Sequence, residues 1–254
     1  ALVPELANQQ HYEVPAAFFE CVLGPNRKYS CCQFDAASAT LAEAEAATLM
    51  LVCERARIQD GMRVLELGCG WGSLSLWMAR HYPNCRVTAV SNSHSQREFI
   101  ERTCVEAGLE NLHVVTCDMN AFETQERFDR IVSIEMFEHM RNWRELLRRV
   151  SKWLLPEGYC FIHIFCHRVH SYPFEDKGAS DWMARNFFTG GIMPSARLIE
   201  EFQEDMVLEE TWRVDGRHYA RTAEAWLRNL DLNRLEATAI LAGDALLTRA
   251  FEGL

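Results

Sequence analysis

The sequence predicts an α/β fold: a mostly parallel, doubly wound sheet with helices on both faces. Three observations carry that expectation. Short apolar runs alternate with longer amphipathic ones from Arg63 to His167, the pattern of repeated βαβ units. The first of these runs passes straight into a glycine-rich turn, Gly68-Cys69-Gly70-Trp71-Gly72. The chain has 254 residues, 48% of them hydrophobic, with 7 Trp, 14 Phe and 6 Tyr. That is enough apolar surface for a sizeable core, and it excludes disorder.

Each element has its own local reason. Thr40 followed by Glu43 makes a capping box ahead of an Ala- and Glu-rich helix running from Leu41 to Arg57. RVLEL is the first strand, Ser73–His81 a helix, and CRVTAVS the second strand. HSQREFIERTCVEAGL reads as a helix closed by Gly108, LHVVTC as the third strand and FDRIVSIEMF as the fourth. WRELLRRVSKWLL then gives a helix and GYCFIHIFCH a fifth strand. Beyond it, MVLEETWRVDGRHY predicts a hairpin turning at Asp215-Gly216, and the chain from Thr222 onward is expected to be helical. With no repeat and no linker, one domain is expected over 1–254. It divides into an N-terminal cap (1–40), an α/β core (41–167), and a cap insertion, hairpin and C-terminal helical part (168–254).

Charge and cysteine usage narrow the function. Lys plus Arg total 26 against 36 Asp plus Glu, a net charge of −10, so nucleic acid and anionic membrane surfaces are disfavoured as partners. No apolar run approaches the roughly 20 residues that span a bilayer, and the first residues do not read as a leader. The 10 cysteines lack regular CxxC spacing, which points to a cytoplasmic protein. His163, Cys166, His167 and His170 fall close together. A strand puts 166 on the face opposite 163 and 167, so no metal is expected there.

The most specific motif is Glu66-Leu67-Gly68-Cys69-Gly70-Trp71-Gly72 between a strand and a helix. Glycines there let the backbone turn tightly and approach a ligand. A dinucleotide fingerprint wants GxGxxG, and Ser73 occupies its last position. The shorter GxGxG after an acidic strand residue is the signature of class I, Rossmann-like, S-adenosylmethionine-dependent methyltransferases. A second constellation, Glu135, Glu138 and His139, follows the fourth strand, and open α/β sheets bind ligands at the carboxyl ends of their strands. Spacings of three and four put these residues on one side of a helical turn. Together they suit holding a cationic amine and accepting its proton. The alternative is a helix start salt-bridged to Arg141 and Arg144.

Six segments in order, HYEVPAAFF, KYSCCQF, ERARIQDGMRVLELGCGWG, VTAVSNSHSQREFIE, DRIVSIEMFEHMRNW and DGRHYARTAEAWL, resemble the cyclopropane-fatty-acid-synthase superfamily of methyltransferases. VTAVSNSHSQ, IEMFEHM and FFTGGIMPSA are most similar to its coclaurine-type N-methyltransferase branch. The resemblance implies S-adenosylmethionine as cofactor and S-adenosylhomocysteine as product. Tyr29, Ser30, Glu66, Gly68, Gly70 and Gly72 would then surround the methionine end. Asn92 and Gln96 would supply amide contacts, and Asp118 would meet the adenine amino group. For Asn92 and Gln96, a solvent-facing helix start is the alternative.

Glu138 and His139 are the implied acid–base pair, with Glu135 in support or beside the cofactor. The substrate would be a small, aromatic or alkaloid-like amine. Trp182, Phe187 and Phe188 would line its pocket or serve as ordinary cap packing. The lipid branch holds a bicarbonate ion as its base, and its ligands match Cys31, Glu138, His163 and Tyr219, with Phe165 in place of an aliphatic residue. Methylene transfer to a phospholipid acyl chain is therefore the alternative reaction, and a non-catalytic cofactor-binding protein a second. Relatives carry a longer N-terminal helical region and further C-terminal residues. A homodimer stays open.

Overall fold

The computed structural model describes residues 14–35, 39–178 and 181–242. The expected N-terminal cap over 1–13 and the expected helical end over 243–254 lie outside the described residues. Helix α1 (Ala16–Val22) precedes α2 (Leu41–Arg55), where Thr40 and Glu43 close the capping box reciprocally. The core then alternates β1 (Arg63–Leu67), α3 (Ser73–His81), β2 (Arg86–Ser91), α4 (His94–Ala107), β3 (Leu112–Thr116), β4 (Phe128–Ile134), α5 (Trp143–Trp153) and β5 (Leu154–His163). A 3-10 turn over Phe137–His139 sits between β4 and α5.

All five strands are parallel, in the order β3-β2-β1-β4-β5. The order reverses beside β1, and ligands of open α/β sheets bind at such switch points. Alternating side chains divide the core. Val64, Val87 and Val132 pack with Leu49, Val52, Leu74 and Met78 of α2 and α3. On the opposite face Leu65, Leu67 and Ile131 pack with Trp143, Leu146, Val150 and Trp153 of α5. Burial on both faces is what near-continuous apolar strands require.

Downstream lie a short antiparallel pair, β6 (Tyr172–Pro173) with β7 (Ile192–Met193), and α6 (Trp182–Asn186) between them. Two helices, α7 (Arg217–Leu232) and α8 (Arg234–Ala242), follow. The expected hairpin over 206–219 is not there. Asp215 instead accepts the Arg217 N–H on Oδ1 at 2.9 Å and the His218 N–H on its carbonyl at 2.9 Å. Asp-Gly here starts a helix, because the carboxylate satisfies an amide that the first turn leaves orphaned. The preceding segment packs by side chain rather than by ladder, with Trp212 6.1 Å from Phe161 of β5. The fifth strand also begins earlier than expected, at Leu154, and ends at His163.

Candidate active site

A cavity of about 410 Å³ opens at the carboxyl ends of β1, β2 and β4. Its floor is the turn after β1. Gly68 and Cys69 both donate their amides to the Val90 carbonyl of β2, at 3.0 and 2.9 Å. Gly70 has φ +53°, and a Cβ there would meet no protein atom within 4 Å; its bare Cα faces the cavity. Gly72, at φ +76°, does not line the cavity. A Cβ on it would strike Ile100 Cγ1 at 2.6 Å, so this glycine serves the packing of the turn against α4. That corrects the expectation for Gly72.

Glu66 lies buried on the cavity wall, with Oε2 accepting the Ser75 hydroxyl. Burial pushes its carboxyl up to about 7, against the pull of that hydrogen bond. Beside it, the Ser91 hydroxyl donates to Gln96 Oε1 at 2.6 Å. Gln96 is 1% exposed, so it does not face solvent, and it lines the cavity with Asn92. Asp118 also reaches the wall, with Oδ1 accepting the Asn120 amide at 2.8 Å.

A strap over residues 24–34 covers the other side. The buried Glu45 carboxylate accepts the amides of Asn26 at 2.8 Å and Lys28 at 3.3 Å. Thr222 Oγ1 of α7 accepts the Cys32 amide at 3.0 Å, and His218 Nδ1 accepts that of Phe34 at 3.0 Å. So held, the strap presents Lys28, Tyr29 and Ser30 to the cavity.

The three polar residues after β4 do not share one helical face. Glu135 leaves the strand at φ +49°, before the 3-10 turn begins, and its N–H donates to the His163 carbonyl at 2.8 Å. Its carboxylate accepts the Cys31 amide on Oε1 at 3.0 Å and the Tyr219 hydroxyl on Oε2 at 3.1 Å. Burial raises its proton affinity, while the Lys28 charge and these two donors oppose the rise. Glu138 turns the other way. It is fully buried, off the cavity wall, with Oε1 accepting the Phe165 amide at 2.7 Å. Burial, then the charge of Glu135, hold its carboxyl well above the usual carboxylate range. His139 does line the cavity, its ring 5.1 Å from that of Phe188. Arg141 donates to the Gly190 carbonyl and Arg144 pairs with Glu204, so the salt-bridged helix start is not formed.

Trp182, Phe187, Phe188 and Tyr219 reach the cavity. Cys31, His163 and Phe165 do not; they stand behind its wall. The Cys31 thiol is pushed up to about 11 by burial, and the His163 imidazole down to about 3, first by burial and then by Lys28 and Arg55. Phe165 packs edge-on against Phe188 at 4.9 Å. Sequence reasoning missed Lys28, Trp226 and Ser73 as wall residues. The first two lie inside the KYSCCQF and DGRHYARTAEAWL segments, which was the available signal.

Four buried polar atoms on this wall have no protein partner: Trp71 Nε1, Ser73 Oγ, Gln96 Nε2 and Trp226 Nε1. Buried polar groups are almost always paired. Unpaired donors near Gly70 and beside Ser91, on a wall that also carries Glu66, fit a ligand carrying an ammonium, a carboxylate and hydroxyls. That is the make-up of S-adenosylmethionine. Among the described residues no group of three or more His, Cys, Asp or Glu could hold a metal ion, and no helix is long and apolar enough to cross a membrane.

Comparison with known proteins agrees with this geometry. The family model described as mycolic acid cyclopropane synthetase matches residues 4–252. (S)-coclaurine N-methyltransferase of Thalictrum flavum subsp. glaucum is 43% identical over 231 residues, covering 90% of this chain and 64% of that enzyme. The chain thus spans just under two thirds of that relative. Cyclopropane-fatty-acyl-phospholipid synthase of Escherichia coli (strain K12) is 31% identical over 223 residues, 87% of this chain and 55% of the enzyme. The crystal structure of coclaurine N-methyltransferase bound to N-methylheliamine and SAH superposes with a TM-score of 0.86 at 44% identity, over 90% of this chain and 67% of that one.

Proposed function

The chain belongs to the mycolic acid cyclopropane synthetase family of S-adenosylmethionine-dependent methyltransferases, and from that premise we propose that it methylates the nitrogen of a small aromatic or alkaloid-like amine. One observation carries the choice of amine over lipid. Glu135 holds a carboxylate on the cavity wall, fixed by the Cys31 amide and the Tyr219 hydroxyl. Those are two of the residues to which the lipid-branch resemblance assigns a bicarbonate ion. A built-in carboxylate makes an added ion redundant, and it suits a cationic substrate.

S-adenosylmethionine, when bound, supplies an electrophilic methyl group on a sulfonium sulfur. The rest falls to the chain's own residues. Gly68, Gly70, Tyr29, Ser30, Asn92, Gln96 and Asp118 bind and orient the cofactor, and Glu66 meets its ammonium. Trp182, Phe187 and Phe188 exclude water and seat an aromatic amine. Glu135 accepts the proton that an ammonium substrate must lose before its nitrogen has a lone pair. His139, also on the wall, is the residue we assign to relaying that proton outward. Glu138, off the wall and hydrogen-bonded to Phe165, supports the turn rather than touching substrate. Positioning of this kind can supply roughly 7–11 kcal/mol of a barrier, more than base assistance of about 10²–10⁴-fold.

The test is a panel of soluble aromatic amines in bicarbonate-depleted buffer, beside phospholipid vesicles with and without bicarbonate. Methylated amine is the expected product. Cyclopropane in the phospholipid, with no amine product, overturns the proposal.

A further inference from the structure

Lys28 is 2% exposed, unusual for an ammonium. Nζ donates to Ser30 Oγ at 2.6 Å and to the Cys31 carbonyl at 2.8 Å. Among the described residues it makes no ion pair within 4.0 Å. A buried charge held only by neutral acceptors is costly, and it persists where a nearby opposite charge compensates it. The compensating charge lies across one residue, Cys31. The Cys31 carbonyl takes the ammonium, and the Cys31 N–H is given to Glu135 Oε1. Burial raises the proton affinity of Glu135, and the Lys28 charge is the strongest pull against that rise; on Glu66 it pulls the same way, behind the hydrogen bonds from Ser75.

We propose that Lys28 is a positioning residue for amine methylation: its buried ammonium keeps Glu135 a carboxylate and locks the Tyr29–Cys31 strap against it. The inference rests on the amine reading above. The N–H bond of the ammonium substrate breaks, its electron pair stays on nitrogen, and the proton passes to a Glu135 oxygen. From there it leaves to solvent. A cation at Lys28 favours each return of Glu135 to the charged form, without itself touching the substrate's proton.

The other groups facing Glu135 set the background. The strap contributes the Cys31 thiol, α7 the Tyr219 hydroxyl, the 3-10 turn the Glu138 carboxyl, held well above the usual carboxylate range, and β5 the His163 carbonyl and its imidazole, held down to about 3. Among the described residues Lys28 is the basic group that acts on Glu135.

The experiment compares Lys28→Met, Lys28→Gln and Lys28→Arg. Gln can donate to Ser30 and Cys31 without a charge, whereas Arg keeps the charge. The readouts are the pH profile of kcat/KM on an accepted amine and the infrared carboxylic C=O band of Glu135. That band is assigned by its loss in Glu135→Gln. In Met and Gln the acid limb and the Glu135 band should both move up by about one pH unit, about tenfold in rate below the limb. Arg should restore both. An unmoved Glu135 band in a folded Met or Gln variant overturns the proposal. So does failure of both uncharged variants to fold, because the charge would then serve the fold alone. The infrared titration needs no substrate. If the wild type methylates no amine, the function proposal fails while the Lys28–Glu135 coupling is still decided.

Discussion

Gly70→Ala separates ligand binding from folding more cleanly than any other change to the turn. A methyl group at 70 meets no protein atom within 4 Å, so its steric cost falls on whatever fills the cavity. The backbone at φ +53° is left-handed, which costs a non-glycine residue roughly 1–2 kcal/mol. In a chain of this size that is about 2–8 °C of Tm. Crowding the ligand adds an overpacking penalty of about 1–3 kcal/mol, or roughly 5- to 150-fold in Kd. Gly72→Ala carries the same backbone cost, but its methyl group strikes Ile100 at 2.6 Å. Its penalty therefore appears in Tm and not in affinity. Calorimetric titration with S-adenosylmethionine, paired with thermal scans, reads both quantities. Gly70→Val should abolish binding in a folded protein. Wild-type affinity in Gly70→Ala, or an equal affinity loss in a folded Gly72→Ala, would refute the reasoning.

Three further outcomes follow from the same geometry. Glu138→Gln should keep turnover within a few-fold, since a neutral side chain still accepts the Phe165 amide, while Glu138→Ala should cost about 1–3 kcal/mol of stability by orphaning it; denaturant midpoints and rates check both. Tyr219→Phe removes a hydroxyl given to Glu135 and should lower kcat/KM with S-adenosylmethionine affinity nearly unchanged, a split that calorimetry and steady-state rates resolve. His163 is held down to about 3 in the folded protein, against an ordinary value near 6.5. The unfolded chain takes up this proton first as pH falls, so the stability it contributes is present above about 6.5 and lost between there and about 3, at no more than roughly 1.4 kcal/mol per pH unit. Denaturation midpoints of His163→Gln should fall less steeply over that range.

The sheet and its helices were legible because their determinants are local. Thr40 and Glu43, or the run Arg63 to Gly72, carry their signals within a few residues. Asp215-Gly216 misled for a related reason. The dipeptide suits a hairpin turn or a helix start, and only the chain on either side decides between them. The site was legible in kind and not in arrangement. Spacing placed Glu135, Glu138 and His139 together, but the direction of Glu138 depends on an amide 27 residues away at Phe165. The place of Glu135 depends on Cys31, 104 residues away. The KYSCCQF segment marks Lys28 as part of the site, but nothing adjacent in sequence shows that it will be buried.

The strap over the cavity is fastened by the far end of the described chain. Thr222 takes the Cys32 amide across 190 positions, and Asn229 and Asn233 donate to the Val22 and Cys21 carbonyls across 207 and 212. Contacts so distant in sequence close late, because their loop entropy must be met before they stabilise anything. During synthesis, β1 to β5 can pair before α7 exists. A nascent chain would therefore own a sheet and a glycine turn while Glu135 still lacked Tyr219 and a fixed strap. Fixing that wall therefore waits until α7 has been made, and a chain arrested before Thr222 would leave the strap without this fastening.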